Sequence, residues 1–215
     1  MSLRLEMLQV ARVAPKALED ASDLVRDFLL SQQHPDGGFC DRDGESDLYY
    51  TVFGLNALAA FQVEPDMNAV EKFLLKFEEG EGLDLVHLSC LCRCWGTLGQ
   101  KRMPKGLRKV LLNRLEAFRK PCGGWDNNPE REHGTAYGSF LALGAYQDLG
   151  KLPPKPFRIL QSLKYLETPD HAWNNHPNLP VGSTNPTAGA VVLLNNLHLP
   201  INAEVGKWLK KQLHP

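Results

Sequence analysis

The chain has 215 residues, of which 43% are hydrophobic and 23% charged, with a formal net charge of −1. That length and balance suit a folded domain with a well-buried core, and a charge so near zero argues against nucleic acid or an anionic membrane as a partner. No run of about 18 apolar residues occurs, so no membrane span is expected; the five cysteines match no disulfide framework and the start lacks a signal-peptide core, so a reducing cytoplasmic setting is expected.

Taken in chain order, residues 1–16 read as a lead-in to a single domain that fills residues 17–215. Leu18, Ala21, Val25, Phe28 and Leu29 mark one apolar face of a helix that should stop near Gln33, before Pro35 and Gly37-Gly38. Ser46 or Asp47 can then cap a helix that runs to about Phe61 and is apolar nearly all round. Asn68-Ala69-Val70-Glu71 has capping-box spacing and leads a stripe of Val70, Phe73, Leu74 and Phe77. Asp84 to Leu98 is again mostly apolar. Leu107, Val110, Leu111, Leu115 and Phe118 form an amphipathic stripe whose back carries Lys101, Arg102, Lys105, Arg108, Lys109 and Arg114, a basic run that reads as a solvated outer face. Thr135 to Leu149 is a third apolar helix, and Phe157, Leu160, Leu163 and Leu166 give the next stripe. Asn185-Pro186 reads as an N-cap followed by proline at the first helical position, opening a fourth apolar helix, Thr187 to Leu197. A last amphipathic segment, Val205 to Leu213, opens at Asn202.

Amphipathic and all-apolar helices thus alternate with a period of about 45 residues. The amphipathic ones have a wet side and belong outside; the apolar ones have none and belong inside. An all-α, curved array of about four and a half helical hairpins satisfies both demands. No segment shows sustained period-two alternation, so no sheet is expected. A repeated phrase punctuates the array: Gln33-His34-Pro35-Asp36-Gly37-Gly38-Phe39 before Asp47 to Leu55, Gly123-Gly124-Trp125 before His133 to Leu141, and a weaker copy from Ala172-Trp173 to Thr187-Ala188-Gly189-Ala190.

Arg26-Asp27-Phe28-Leu29, with Gln33, Gly37 and Phe39, resembles the Gln-aromatic repeat of squalene and oxidosqualene cyclases. Gly37-Gly38-Phe39 through Asp47-Leu48-Tyr49-Tyr50-Thr51-Val52-Phe53-Gly54-Leu55 is still more similar to the beta subunits of protein prenyltransferases, the Rab geranylgeranyl transferase in particular. The resemblance covers the chain from about residue 18 to its end. It implies an α/α toroid-like array, in a family whose rings usually close with about six hairpins, so this ring would be open, distorted, or covered at its edge by a partner chain or a second copy. It also implies an inner cavity for an isoprenoid or other lipid ligand. The family's prenyltransferases hold zinc with an Asp-x-Cys pair and the histidine of an Asp-x-x-His-Thr segment. Here Asp47 to Thr51 falls on the histidine segment with Tyr50 in the ligand's place, and no Asp-x-Cys pair exists. The Asp-x-Asp-Asp acid of the cyclases is missing too, with Asp41-Arg42-Asp43 the nearest approach.

Candidate functional residues sit at the expected inner-helix starts. Aligned on Thr51, Thr135 and Thr187, Asp47, Tyr49 and Tyr50 fall beside Arg131, Glu132 and His133, and beside Ser183, Thr184 and Asn185. Inner helices running the same way would bring these to one mouth, where helix N-termini favour an anionic headgroup; capping alone also explains Ser, Thr, Asp and Asn there. Asp47, Tyr50 and His133 are the acid–base candidates of a prenyltransferase-like enzyme, and Tyr49, Arg131, Glu132, Tyr137 and Asn185 candidate substrate contacts. Asp84-x-x-His87 puts two metal-competent side chains on one helical face. Phe39, Trp125 and Trp173 follow the turns and are expected to anchor them against outer helices. Cys90, Cys92 and Cys94 read as core residues. Two other readings stand beside the isoprenoid one: a non-catalytic interaction module, and a carbohydrate-active toroid using two carboxylates drawn from Asp47, Asp84, Asp126 and Glu132.

Overall fold

The computed structural model describes residues 2–213, and among them helix predominates, as expected for an all-α protein. In order, the helices are α1 (Leu3–Ala11), α2 (Ala14–Leu18), α3 (Ser22–Ser31), α4 (Leu48–Ala60), α5 (Met67–Leu75), α6 (Leu85–Leu98), α7 (Leu107–Ala117), α8 (Ala136–Asp148), α9 (Arg158–Leu166), α10 (Thr184–Asn196) and α11 (Ala203–Lys211). The expectation of no sheet needs one correction: β1 (Phe39–Cys40) and β2 (Ser46–Asp47) pair antiparallel in the loop before α4. Two residues per strand are too short to show a period of two in the sequence. No helix among the described residues is long and apolar enough to cross a membrane. The chain divides into two compact units: the first comprises the residues up to Asn113 with Gly144–Lys151, the second Arg114–Leu143 with the residues from Leu152 onward.

Capping residues set the helix starts. The Asp47 carboxylate accepts the backbone N–H groups of Tyr49 (2.7 Å) and Tyr50 (3.1 Å). Asp66, and not Asn68, caps α5, accepting from Asn68 and Ala69. Freed of the capping role, Asn68 and Glu71 both accept from Arg102, so the basic run is partly neutralised. Helix α10 starts two residues earlier than Asn185-Pro186 suggests, with Ser183 at its N-cap. Proline at the third helical position is tolerated because its N–H would have no partner in the first turn.

In the first unit α4 and α6 lie side by side, with α3 against α4 and α5 against α6. The facing residues include Val52, Leu55, Leu58, Leu88, Leu91 and Trp95, each at most 3% exposed. Burial of such side chains contributes about 1.5–3 kcal/mol apiece. The stripe on α5 behaves as predicted, with Val70, Phe73 and Leu74 buried. The single helix expected to carry Leu18 to Leu29 is instead broken: Leu18 ends α2 and is 36% exposed, a turn at Glu19–Ala21 follows, and on α3 Phe28 is 60% exposed with no residue fully buried. The lead-in forms α1, which packs on α4. There Leu3 is buried, and Arg4 reaches Asp148 at 3.1 Å and Thr97 at 3.3 Å. Burial pushes the Asp148 carboxyl up, and the guanidinium groups of Arg4 and Arg93 oppose that shift.

The repeated phrase is a repeated hydrogen-bond scheme. The N–H groups of His34, Lys120 and Thr168 donate to the carbonyls of Gly38, Gly124 and Ala172, and those of Gly37, Gly123 and His171 donate back to His34, Lys120 and Thr168. Gly37 and Gly123 have φ of +102° and +103°, and His171 adopts +66° in the same place. The aromatic residue that follows is buried: Phe39 at 2%, Trp125 at 0% and Trp173 at 5% exposure. As expected, it anchors the turn to the preceding outer helix, since the indoles of Trp125 and Trp173 donate to the carbonyls of Leu115 and Leu163. Its backbone N–H donates to a hydroxyl on the following inner helix: Phe39 to Thr51 (2.9 Å), Trp125 to Ser139 (3.3 Å), Trp173 to Thr187 (3.0 Å).

This scheme corrects the repeat register. Ser139, not Thr135, corresponds to Thr51 and Thr187. Thr135 corresponds to the N-caps Asp47 and Ser183, and the second copy shifts by four residues. The hydroxyl bond also yields a test. Thr187→Val leaves the buried N–H of Trp173 without its acceptor, and urea denaturation should show a loss of about 1–3 kcal/mol. Thr187→Ser, which keeps the hydroxyl, should cost less than half as much; equal losses would mean that the methyl and not the hydroxyl matters.

Candidate functional site

The candidate residues fall into both units. In the first, Asp47 and Asp84 cap the adjacent helices α4 and α6, and His87 stands in the first turn of α6. The His87 ring nitrogen Nδ1 lies 2.8 Å from Asp84 Oδ1, while Nε2 lies 3.6 Å from Asp47 Oδ2. Helix pairing between α4 and α6 thus brings together three residues that the sequence separates by as many as 40 positions. Burial works against the Asp84 charge, but bonds from the His87 N–H and ring outweigh it and hold the carboxyl below its usual range. Both ring nitrogens of His87 face carboxylates and both carboxylates serve as caps. Among the described residues no three His, Cys, Asp or Glu side chains are grouped so as to hold a metal ion; His87 links the two caps by a short contact to Asp84 and a longer one to Asp47.

Next to this link, Tyr49 packs edge-on against Tyr50 (5.9 Å between centroids) and Phe53 (4.8 Å). Tyr50 and Phe53 turn into a groove of about 430 Å³ between α3, the β1 turn and α4. Phe28, Leu29, Phe39 and Ala57 complete its apolar walls, with Gln32, Asp41 and Arg42 at the polar edge. Asp41 Oδ1 is engaged by the backbone N–H groups of Asp43 and Glu45. Sequence reasoning missed Phe28 as a site residue, because its place on a helical stripe made it look like core.

In the second unit, His133 stacks on Tyr165 of α9 at 4.9 Å, and its Nδ1 is buried without a hydrogen-bond partner. It precedes the N-cap Thr135 by two residues, so it belongs to the loop and to an outer helix, not to an inner-helix start. Arg131 lies 3.3 Å from Asp126 and 3.5 Å from the ring of His176; Glu132 is exposed. In the corrected register Tyr137 and Asn185 share the position of Tyr49, second in their helices, and all three are exposed.

The five cysteines are free thiols. Cys90, Cys92 and Cys94 are core residues, as expected, and burial pushes the Cys90 thiol up to about 12. No protein-family model and no curated protein matches the chain.

Two measurements follow from these environments. Asp84 has a depressed folded-state pKa, so its contribution is present above the ordinary carboxylate value of about 4 and disappears as pH falls through the folded value. Asp84→Asn should therefore be less stable than the wild type at pH 7, with the gap closing as pH falls below about 4; a gap independent of pH would assign the loss to packing. In native protein at pH 8, iodoacetamide followed by mass spectrometry should leave Cys90, Cys92 and Cys94 unmodified, with all three labelled only after unfolding.

Proposed function

We propose that this chain is a prenyltransferase- and terpene-cyclase-like α/α toroid protein of about four and a half hairpins that binds an isoprenoid-type apolar chain. The carrying observation is the aromatic groove of its first hairpin. Its volume of about 430 Å³ falls within the range of small-molecule sites, about 300–1,000 Å³, and such sites combine apolar walls with a few placed polar groups. Phe28, Tyr50 and Phe53 would supply the walls. Arg42 offers a guanidinium to an anionic headgroup, and the two N–H donors on Asp41 blunt the opposing carboxylate. The ligand's place thus moves from the expected inner cavity to the face of α3 and α4.

Binding, rather than bond-making, is the proposed activity. Tyr50 stands where the family's zinc-binding histidine is expected and lines the groove. Asp47 belongs to the His87 link, and His133 is stacked against α9, so the acid–base trio of the sequence reading is not carried forward. The sugar-cleaving reading loses support for a similar reason: Asp47 and Asp84 are occupied as helix caps and as partners of one histidine.

The test uses purified protein with farnesyl and geranylgeranyl diphosphate. Mass spectrometry of native protein should find co-extracted lipid, and either diphosphate should raise the melting temperature. Phe53→Asp should weaken binding at least tenfold, whereas His133→Ala should leave it unchanged. No retained lipid together with no thermal shift would overturn the proposal.

A further inference from the structure

The large exposed apolar side chains of the first unit are concentrated near its start. Val10 and Val13, at the end of α1 and just after it, are 73% and 63% exposed; Leu24 and Phe28 on α3 are 73% and 60%; Tyr50 and Phe53 on α4 are 36% and 51%. Helix α4 packs directly on both α1 and α3. These six side chains alone leave on the order of 600 Å² uncovered, given about 150–250 Å² for a large side chain. The largest apolar patch of an ordinary monomer is about 300–600 Å², and a stable protein interface takes about 800 Å² per partner.

The repeat scheme explains why this face is bare. Gly37 and Gly123 lie so close to Ala69 of α5 and Arg158 of α9 that a Cβ on either would overlap the neighbouring backbone. Each turn therefore seats on the outer helix of the next hairpin. Leu24 and Phe28 hold on α3 the repeat positions that Arg158 and Ser162 hold on α9, and Cys122 bonds Ser162 there. Helix α3, however, is preceded by α1 and α2 and not by a turn of this kind.

Charge chooses between a bilayer and a protein. Along this part of the chain Arg12, Lys16 and Arg26 are matched by Glu6, Glu19, Asp20, Asp23 and Asp27, and Arg26 is already bridged to Asp23 (2.8 Å) and Asp27 (2.9 Å). A membrane-surface helix needs a basic excess. Interleaved charges of both signs suit a two-fold pairing of like surfaces, in which each patch meets its own copy.

We infer that α1, α3 and α4 form a homodimer interface, with a second copy of this chain as the occupant. The dimer stands on this surface alone; that the second copy also roofs the open groove, and so completes the ligand site, rests on the isoprenoid reading above. Sedimentation velocity and light scattering at about 1–100 μM should show a species of twice the 24.0 kDa chain mass. Val10→Glu and Leu24→Glu, each checked for retained helicity, should raise the dimer dissociation constant at least tenfold, while Leu152→Glu, in the other unit, should not. A monomer throughout, a dimer indifferent to Val10→Glu and Leu24→Glu, or tight binding to phosphatidylserine vesicles with loss of the dimer would each overturn the inference. Farnesyl diphosphate binding is measured in parallel. A monomer that binds it removes the dimer and leaves the ligand reading intact; a dimer that does not bind it does the reverse.

Discussion

One backbone N–H organises this fold: that of the aromatic residue closing each Gly-Gly-type turn. In three places it is buried and donates to a hydroxyl one turn inside the next helix, on Thr51, Ser139 or Thr187. All three hydroxyl residues are fully buried. An unmet N–H there would cost about as much as a large share of a domain's net stability. The bond therefore sets the register between turn and inner helix, and the aromatic ring sets the register between turn and outer helix. Together they make each hairpin a unit of fixed geometry.

The same turns then join the hairpins. Asp36, Cys122 and Asp170 occupy one repeat position, and each reaches both its own loop and the next outer helix. Asp36 accepts from Ser46 and from Lys76; Asp170 accepts from Gly182 and from the Trp208 indole; Cys122 accepts from Gly134 and donates to Ser162. Burial opposes the Asp36 charge, yet the bonds from Lys76 and Ser46 hold its carboxyl well below the usual range.

The first hairpin is where this regularity stops, and where the functional proposal lies. With α1 and α2 instead of a preceding turn, α3 keeps Leu24 and Phe28 in water and α4 keeps Phe53 there. Phe28 and Phe53 there line the groove between α3 and α4. The polar residues that first suggested chemistry are spent on structure, with Asp47, Asp84 and His87 tying α4 to α6.

The helices, their order and their alternation between wet-faced and all-apolar were legible in the sequence, because burial imposes a 3.6-residue period wherever a helix has one wet side. So was the anchoring role of Phe39, Trp125 and Trp173, since a large aromatic beside a Gly-Gly turn has few other places to go. The site was not legible to the same degree. Thr135 was matched to Thr51 by residue type, whereas backbone hydrogen bonding matches Ser139, and that four-residue slip carried Arg131, Glu132 and His133 away from the helix starts. Phe28 has the spacing of a core residue and lies in the open, because a stripe predicts burial only when a neighbour exists to bury it. Local pattern thus determined which residues prefer to leave water; which of them found a partner, and which stayed exposed, was decided only by how the hairpins pack.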